Sequence, residues 1–286
     1  MIAETFGSPI CSHWAGKYES IISFNQDWGQ IGTADGILVR CDDGNVPASI
    51  NRSLSAGQLR PAINNNHHIL DVCRELNGPM KEFGKKFWQL IIDKHPTAKE
   101  LIINDDLGIR SIQYRDRYLK SPLTAGLFAL LMDALRKIVG KTRWGSVYVD
   151  FTTMNIKSHE GYFQHNRLWD DWKENRIRAE VMRSLFSFRD MALSIKNKNR
   201  NDLPHFRKLS VEFTSNDRLD ISLDQGVSYW KTKYIEFDFL MPASEQAQHL
   251  NLIMNDQETR INEGDSNHTI IAVKRVKQKL SEGNKP

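Results

Sequence analysis

Cysteine is scarce. The 286-residue chain has three, Cys11, Cys41 and Cys73. They are far apart and odd in number, which argues against a disulfide framework and leaves no CxxC-type metal pair. Long apolar runs are missing as well. None approaches the roughly 18 residues that a membrane-crossing helix needs, so no membrane partner is expected. The opening MIAETFGSPICSHW has neither the basic segment nor the apolar core of a secretory signal. A cytoplasmic location is the expectation. An excess of one charge is also lacking over most of the chain. The segment KRVKQKLSEGNKP, from Lys274 onward, holds five of the 39 basic and one of the 35 acidic residues, so the rest carries 34 of each. Bulk charge therefore gives no argument for a polyanionic partner. A phosphate site would have to come from local clustering, or from the tail acting as a small basic arm.

What is present is an ordinary globular composition, 40% hydrophobic and 26% charged, with enough chain to bury a core. Residues 1–60 read as a small β-rich lead-in, with a hairpin around Asp42-Asp43-Gly44. Residues 61–96 read as a helical segment. Asn64–Leu76 offers Ile69, Val72, Cys73 and Leu76 at helical spacing. Pro79–Lys94 offers Phe83, Phe87, Leu90 and Ile91, with Pro79 in the first turn. Residues 97–275 read as a mixed α/β domain, and 276–286 as a basic flexible tail.

Within the α/β domain, ELIIN and IRSIQYR read as strands. Ser121 is a natural N-cap, Pro122 the first helical residue and Gly140 the stop. The helix between them is apolar on nearly every side, which predicts burial all round. SVYVDF reads as a strand and Asn166–Ile195 as a long helix. IKNKNRNDLP reads as a basic loop. RKLSVEF and RLDISLD alternate strictly and form a hairpin across TSND. KYIEFDFL and TIIAVKRV read as further strands.

Two clusters carry candidate chemistry. His205 and Arg207 share one face at the start of the RKLSVEF strand, because positions i and i+2 of a strand point the same way. A guanidinium can grip two phosphate oxygens, and an imidazole can donate a proton or attack phosphorus. Glu212 has the opposite parity. Asp224-Gln225-Gly226 ends the partner strand and returns near His205. The alternative is structural, a cross-strand ion pair between Arg207 and Asp224 with His205 as a polar cap. The second cluster precedes the buried helix. Arg115 and Arg117 share parity, Asp116 points away from them, and Lys120 follows. Either arginine could pair with Asp224 or Glu212 as structural glue. His67-His68 has no acidic or thiol partner at ligand spacing, and His159-Glu160 with His165 lies in a polar loop where a nuclease-type metal site is the lesser alternative, so no metal or cofactor is expected. Trp169 and Trp172 could stack on bases. Trp172, at helical spacing with Leu168, also fits a core.

The run H205-x-R207-x4-E212, followed by a strand and a glycine turn, resembles the H-x-K-x4-D signature of the phospholipase D superfamily. Arg207 stands where that family has Lys, Glu212 where it has Asp, and the turn lacks its G-S-x-N. The resemblance implies a catalytic set of His205, Arg207 and Glu212, and a metal-independent phosphodiesterase or nuclease if active. A homodimer would supply the second motif. EFGKKFWQLI, YRDRYLKSPLTAGLFALLMDAL and LDQGVSYW, within residues 79–239, are similar to segments of the C-terminal region of bacterial DEAD/DEAH-type helicases from phage-defence and DNA-modification islands. That similarity implies a phospholipase D-like α/β domain with a buried central helix. It also implies a non-motor role beside a separately encoded superfamily 2 helicase in antiviral defence or DNA processing, with DNA rather than RNA as ligand. The chain itself has no GxxxxGK[ST] and no DExH box. In that setting Arg115, Arg117, Lys120 and Arg207 would bind phosphate, with Asp116, Asp224, Gln225 and Gly226 in support. A purely structural assembly subunit is the remaining alternative.

Overall fold

The computed structural model describes residues 67–156, 165–203, 207–261 and 269–277. The side chains of His67 and His68 fall outside this set, as do His159, Glu160, His205 and the segment read as an N-terminal hairpin. Contacts along the chain divide it into Met1–Ile69 and Leu70–Pro286. Apart from the first residues of β1, every described element belongs to the second unit.

That unit is mixed α/β. Its strands are β1 (His67–Val72), β2 (Gly78–Pro79), β3 (Ile109–Arg115), β4 (Tyr148–Met154), β5 (Ala192–Lys198), β6 (Arg207–Phe213), β7 (Asp217–Leu223), β8 (Trp230–Lys231), β9 (Glu258–Ile261) and β10 (Thr269–Lys277). Its helices are α1 (Phe83–Lys94), α2 (Pro96–Ile103), α3 (Pro122–Val139), α4 (Lys141–Trp144), α5 (Asn175–Ser187) and α6 (Ala243–Asp256). Seven strands form one sheet in the order β1-β10-β7-β6-β3-β4-β5, and β2-β9-β8 form a small second one. β3, β4 and β5 are parallel. β6, β7 and β10 continue from β3 in antiparallel fashion. The mixed α/β class expected from the sequence is the one observed.

The pleat explains why the helices lie on one face. Ile112, Tyr114, Val149, Phe151, Leu209, Val211, Leu219 and Ile221 are buried at matching register positions. Against them stack Phe128 of α3, 4.5 Å from the Tyr114 ring, and Phe186 of α5, 5.5 Å from Phe128. The opposite face presents Gln113, Arg115, Tyr148 and Lys196, all exposed. Parallel strands usually carry continuous apolar runs because both faces are covered. Here IRSIQYR and YVDFTTM alternate, as strands covered on one face do.

Helix α3 spans 18 residues, about 27 Å, of which 14 are buried. Its start is fixed by a capping box built with threonine: the Thr124 N–H donates to the Ser121 hydroxyl at 3.4 Å, and the Ser121 N–H to the Thr124 hydroxyl at 3.2 Å. Helix α1 lies against it. A Cβ on Gly84 would come within 2.1 Å of the Leu130 carbonyl oxygen, so only glycine permits this approach. The Trp88 indole N–H donates to the Leu131 carbonyl at 2.8 Å. Among the described residues no helix is long and apolar enough to cross a membrane.

Several sequence expectations are corrected. His67–Val72 is a strand, not part of a helix over 64–76. Its Leu70 and Val72 are buried while Asp71 and Cys73 are exposed, an alternating period that the helical spacing of Ile69, Val72 and Cys73 had hidden. Pro79 lies in β2, and a 3-10 turn, Met80–Glu82, precedes α1. The Glu100–Asn104 stretch read as a strand lies within helix α2 and its C-cap. Pro96 opens that helix, and the His95 ring accepts the Ala98 N–H at 3.0 Å as its cap. The long helix over 166–195 shrinks to α5. Asn166 and Asp190, on either side of α5, have left-handed backbones (φ 53° and 51°), and β5 follows. KYIEFDFL forms no extended strand, only an isolated bridge between Arg167 and Glu236.

Candidate functional site

The topology gathers chain ends at one edge of the sheet. The chain moves outward from β3 to β4 to β5, then returns to β6 on the far side of β3. The connection from β5 must therefore pass the carboxyl ends of β4 and β3, three strand intervals or roughly 14 Å. Crevices at such reversals of strand order are where open α/β sheets place ligands.

The passing loop has main-chain carbonyls with no ladder to join. Arg117, just beyond β3, supplies the donors. Its Nε–H donates to the Leu203 carbonyl and its Nη2 to the Arg200 carbonyl, both at 2.5 Å. Only 8% of Arg117 is exposed. The expected convergence of Arg115 and Arg117 on one face is not what forms. Strand alternation ends at Arg115, and the chain turns through Asp116 and Arg117.

Asp116 points away from exposed Arg115, into the covered side, where its carboxylate faces Arg207. Its Oδ1 lies 3.7 Å from Arg207 Nε and accepts the Tyr118 N–H at 2.7 Å, and its Oδ2 accepts the Tyr114 hydroxyl at 2.9 Å. Burial pushes the Asp116 carboxyl above its ordinary value, opposed by the Arg207 charge and then by the two hydrogen bonds. Burial, and then the adjacent carboxylate, push the Tyr114 hydroxyl well above its usual range. Arg207 also donates from Nη1 to the Asp224 main-chain carbonyl and lies 4.7 Å from the centre of the Tyr118 ring. The Asp224 carbonyl is thus a partner of Arg207, and Asp116 is the carboxylate facing it. Gly226 closes this cluster at φ +65°. A Cβ there would sit 2.4 Å from Arg207 Cδ and 3.0 Å from Asp116 Oδ2. The amide of neighbouring Gln225 lies 3.5 Å from the Asp224 carboxylate.

The other candidates lie apart. Glu212 accepts the Ser111 hydroxyl at 2.8 Å, near the opposite end of β6. Lys120 stands 3.8 Å from the half-exposed Asp171. Arg115 is exposed on the uncovered face, and its side chain makes no ion pair or hydrogen bond with a described residue. Cross-strand register sets Arg115 beside Thr152, and Thr152 beside Lys196, with Lys198 one step further along β5. Lys196 and Lys198 are exposed too. Among the described residues no group of three His, Cys, Asp or Glu could hold a metal.

Arg178 was missed in the sequence and is the most buried arginine of this edge, with no exposed surface. Its Nη2 donates to Asn197 Oδ1 at 2.7 Å, Asn175 Oδ1 at 2.9 Å and the Met154 carbonyl at 3.1 Å, and its Nη1 to the Leu119 carbonyl at 3.4 Å. Burial lowers its pKa to about 10, with the Asp171 charge opposing. The signal was present. Arg178, Val181, Met182 and Leu185 follow one helical stripe, so the arginine occupies a core position.

Fold and edge together define a one-sided mixed α/β domain whose polar groups collect at the carboxyl ends of its parallel strands. The chain belongs to the family of the C-terminal domain of the DEAD/DEAH box helicase YjiV, whose family model matches residues 66–275. The match extends beyond residues 79–239 on both sides and makes this a helicase-associated domain. Comparison with the curated proteins gives no match. Comparison with the solved structures gives none either.

Proposed function

We propose that this domain is a non-motor, nucleic-acid-holding component that works beside a helicase motor on a separate chain. It grips the sugar–phosphate backbone across the uncovered face at the carboxyl edge. The observation that carries this is a cationic row whose side chains pair with no described residue: Arg115, Lys196 and Lys198 are exposed at the ends of β3 and β5, with the Thr152 hydroxyl between them. Arg117 and Arg207 position this edge, Arg117 by holding the crossing loop and Arg207 by bracing Asp116, Tyr118 and the Asp224 carbonyl. A phospholipase D-like origin of residues 205–212, DNA rather than RNA as ligand, and a place in phage defence rest on the resemblances in the sequence.

The test is oligonucleotide binding by fluorescence anisotropy over a salt series. Three phosphate contacts give a slope of log affinity on log salt of roughly −2 for a single strand. Arg115→Ala is expected to weaken binding and to reduce that slope by about 0.7. A wild-type chain without salt-dependent binding refutes the proposal. Loss of metal-independent cleavage in a folded His205→Ala variant would instead favour the phosphodiesterase.

A further inference from the structure

The ring centroids of Trp169 and Tyr234 are 6.1 Å apart and their planes meet at 85°. The Arg167 guanidinium lies over both, 5.9 Å from the Trp169 centre and 5.7 Å from that of Tyr234. Its Nε is buried without a hydrogen-bond partner, so the aromatic rings do much to hold this guanidinium. Trp169 packs against the core, but Tyr234 stands outside it. Tyr234 is 62% exposed, while Trp172, three residues beyond Trp169, is 2% exposed and donates its indole N–H to Gln246 at 2.9 Å.

Main-chain bonds fix the cluster in place. The Leu168 N–H donates to the Ile235 carbonyl at 3.0 Å, joining the two segments that carry the rings. The Leu123 N–H donates to the Leu168 carbonyl and the Trp172 N–H to the Lys120 carbonyl, both at 3.0 Å. The platform is thus tied to the start of α3, directly after the Arg115–Arg117 turn. A large aromatic ring held at a fixed angle and left in water has an open π-face. Bases inside a duplex are already stacked on each other, whereas an unpaired base can stack on such a ring with little regard to sequence. A guanidinium beside the platform adds cation–π attraction.

We propose that Tyr234, braced by Trp169 and Arg167, stacks on an unpaired base, so the nucleic acid held at this edge is single-stranded. This rests on the phosphate-binding reading and adds the strandedness of the ligand. The experiment compares a labelled oligo-dT strand with a duplex of equal length, using the full chain and its Tyr234→Ala, Tyr234→Leu and Tyr234→Phe variants. The wild type is expected to prefer the single strand. Ala and Leu should each weaken single-strand binding roughly 5- to 150-fold, and Phe should restore it. The salt slope should not change, since no phosphate contact is lost. Wild-type affinity for the single strand retained by the Leu variant, or a wild-type preference for duplex, overturns the stacking role while phosphate binding stands. No binding of either oligonucleotide by the wild type removes both.

Discussion

Asp116 and Arg207 offer a pair whose coupling can be worked out in advance. The carboxylate is fully buried, the guanidinium side chain is 17% exposed, and the closest atoms are 3.7 Å apart. An effective dielectric of about 20 gives an attraction of roughly 4 kcal/mol at this distance. Burial opposes it, and the raised Asp116 pKa says that desolvation outweighs the attraction at that carboxyl. Asp116→Asn is expected to cost about 3 kcal/mol, the low end for stranding a buried charge, because Arg207 keeps the Asp224 carbonyl and the Tyr118 ring. Arg207→Met should cost less, about 2 kcal/mol, since the stranded carboxyl can take a proton. The double variant should lie within about 1 kcal/mol of the wild type, because neither charge is then left stranded. Urea unfolding at neutral pH with a constant m-value measures all four. A coupling below about 0.5 kcal/mol would refute the assigned geometry. Linkage gives a second check. The folded carboxyl titrates above the unfolded value of about 4. Between those two values the native state holds a proton that the unfolded state has lost, so this group's contribution falls as pH rises through the window. Asp116→Asn should remove that slope.

Gly226→Ala should destabilise twice over, by about 1 kcal/mol or more for a left-handed backbone and by a further 1–3 kcal/mol from crowding Arg207 Cδ. The thermal midpoint should fall, and Arg207→Ala in the same chain should recover the crowding part. Asp217 behaves oppositely to Asp116. Arg275 donates to both of its oxygens at 3.0 Å, and the hydrogen bond from Arg275 is the largest cause holding its pKa low. Its contribution is present above about pH 4 and is lost as pH falls through the depressed value. Arg275→Met should abolish that acid loss, read as urea midpoints across the acidic range.

Much of the fold was legible because strong local signals coincide with tertiary roles. Ser121-Pro122 and Gly140 bracket α3, IRSIQYR, RKLSVEF and RLDISLD alternate where strands lie, and TIIAVKRV is rich in β-branched residues. The failures share a cause. Leu168 and Trp172 sit on the same apparent stripe as Met182 and Phe186, but the first two belong to an irregular segment whose backbone partners are Ile235 and Lys120. No local pattern encodes those partners. ELIIN looks like a strand because β-branched residues also fit a buried helix face, and the deciding residues, His95 and Pro96, lie upstream. In the site, parity placed Arg207 correctly beside the Asp224 turn. It misled at Arg117, because parity holds only while the chain remains a strand.

The end of β3 shows why neighbouring arginines differ in availability. A chain that runs outward to β5 and returns beyond β3 must cross its own strand ends, and the crossing exposes carbonyls and turns that need donors. Arg117 meets the loop, Arg178 meets the ends of β4 and β5, and Arg207 meets the Asp224 turn and the buried Asp116. Each lies on the covered side of the sheet or beyond its last ladder position, where protein acceptors are at hand. Arg115 is the last residue still in the ladder and points to the other face, where its side chain pairs with no described residue. Its availability follows from one step of strand parity. Moving the strand end by one residue would exchange the exposed cation for a structural one, so where β3 stops decides which arginine is left for the proposed phosphate contact.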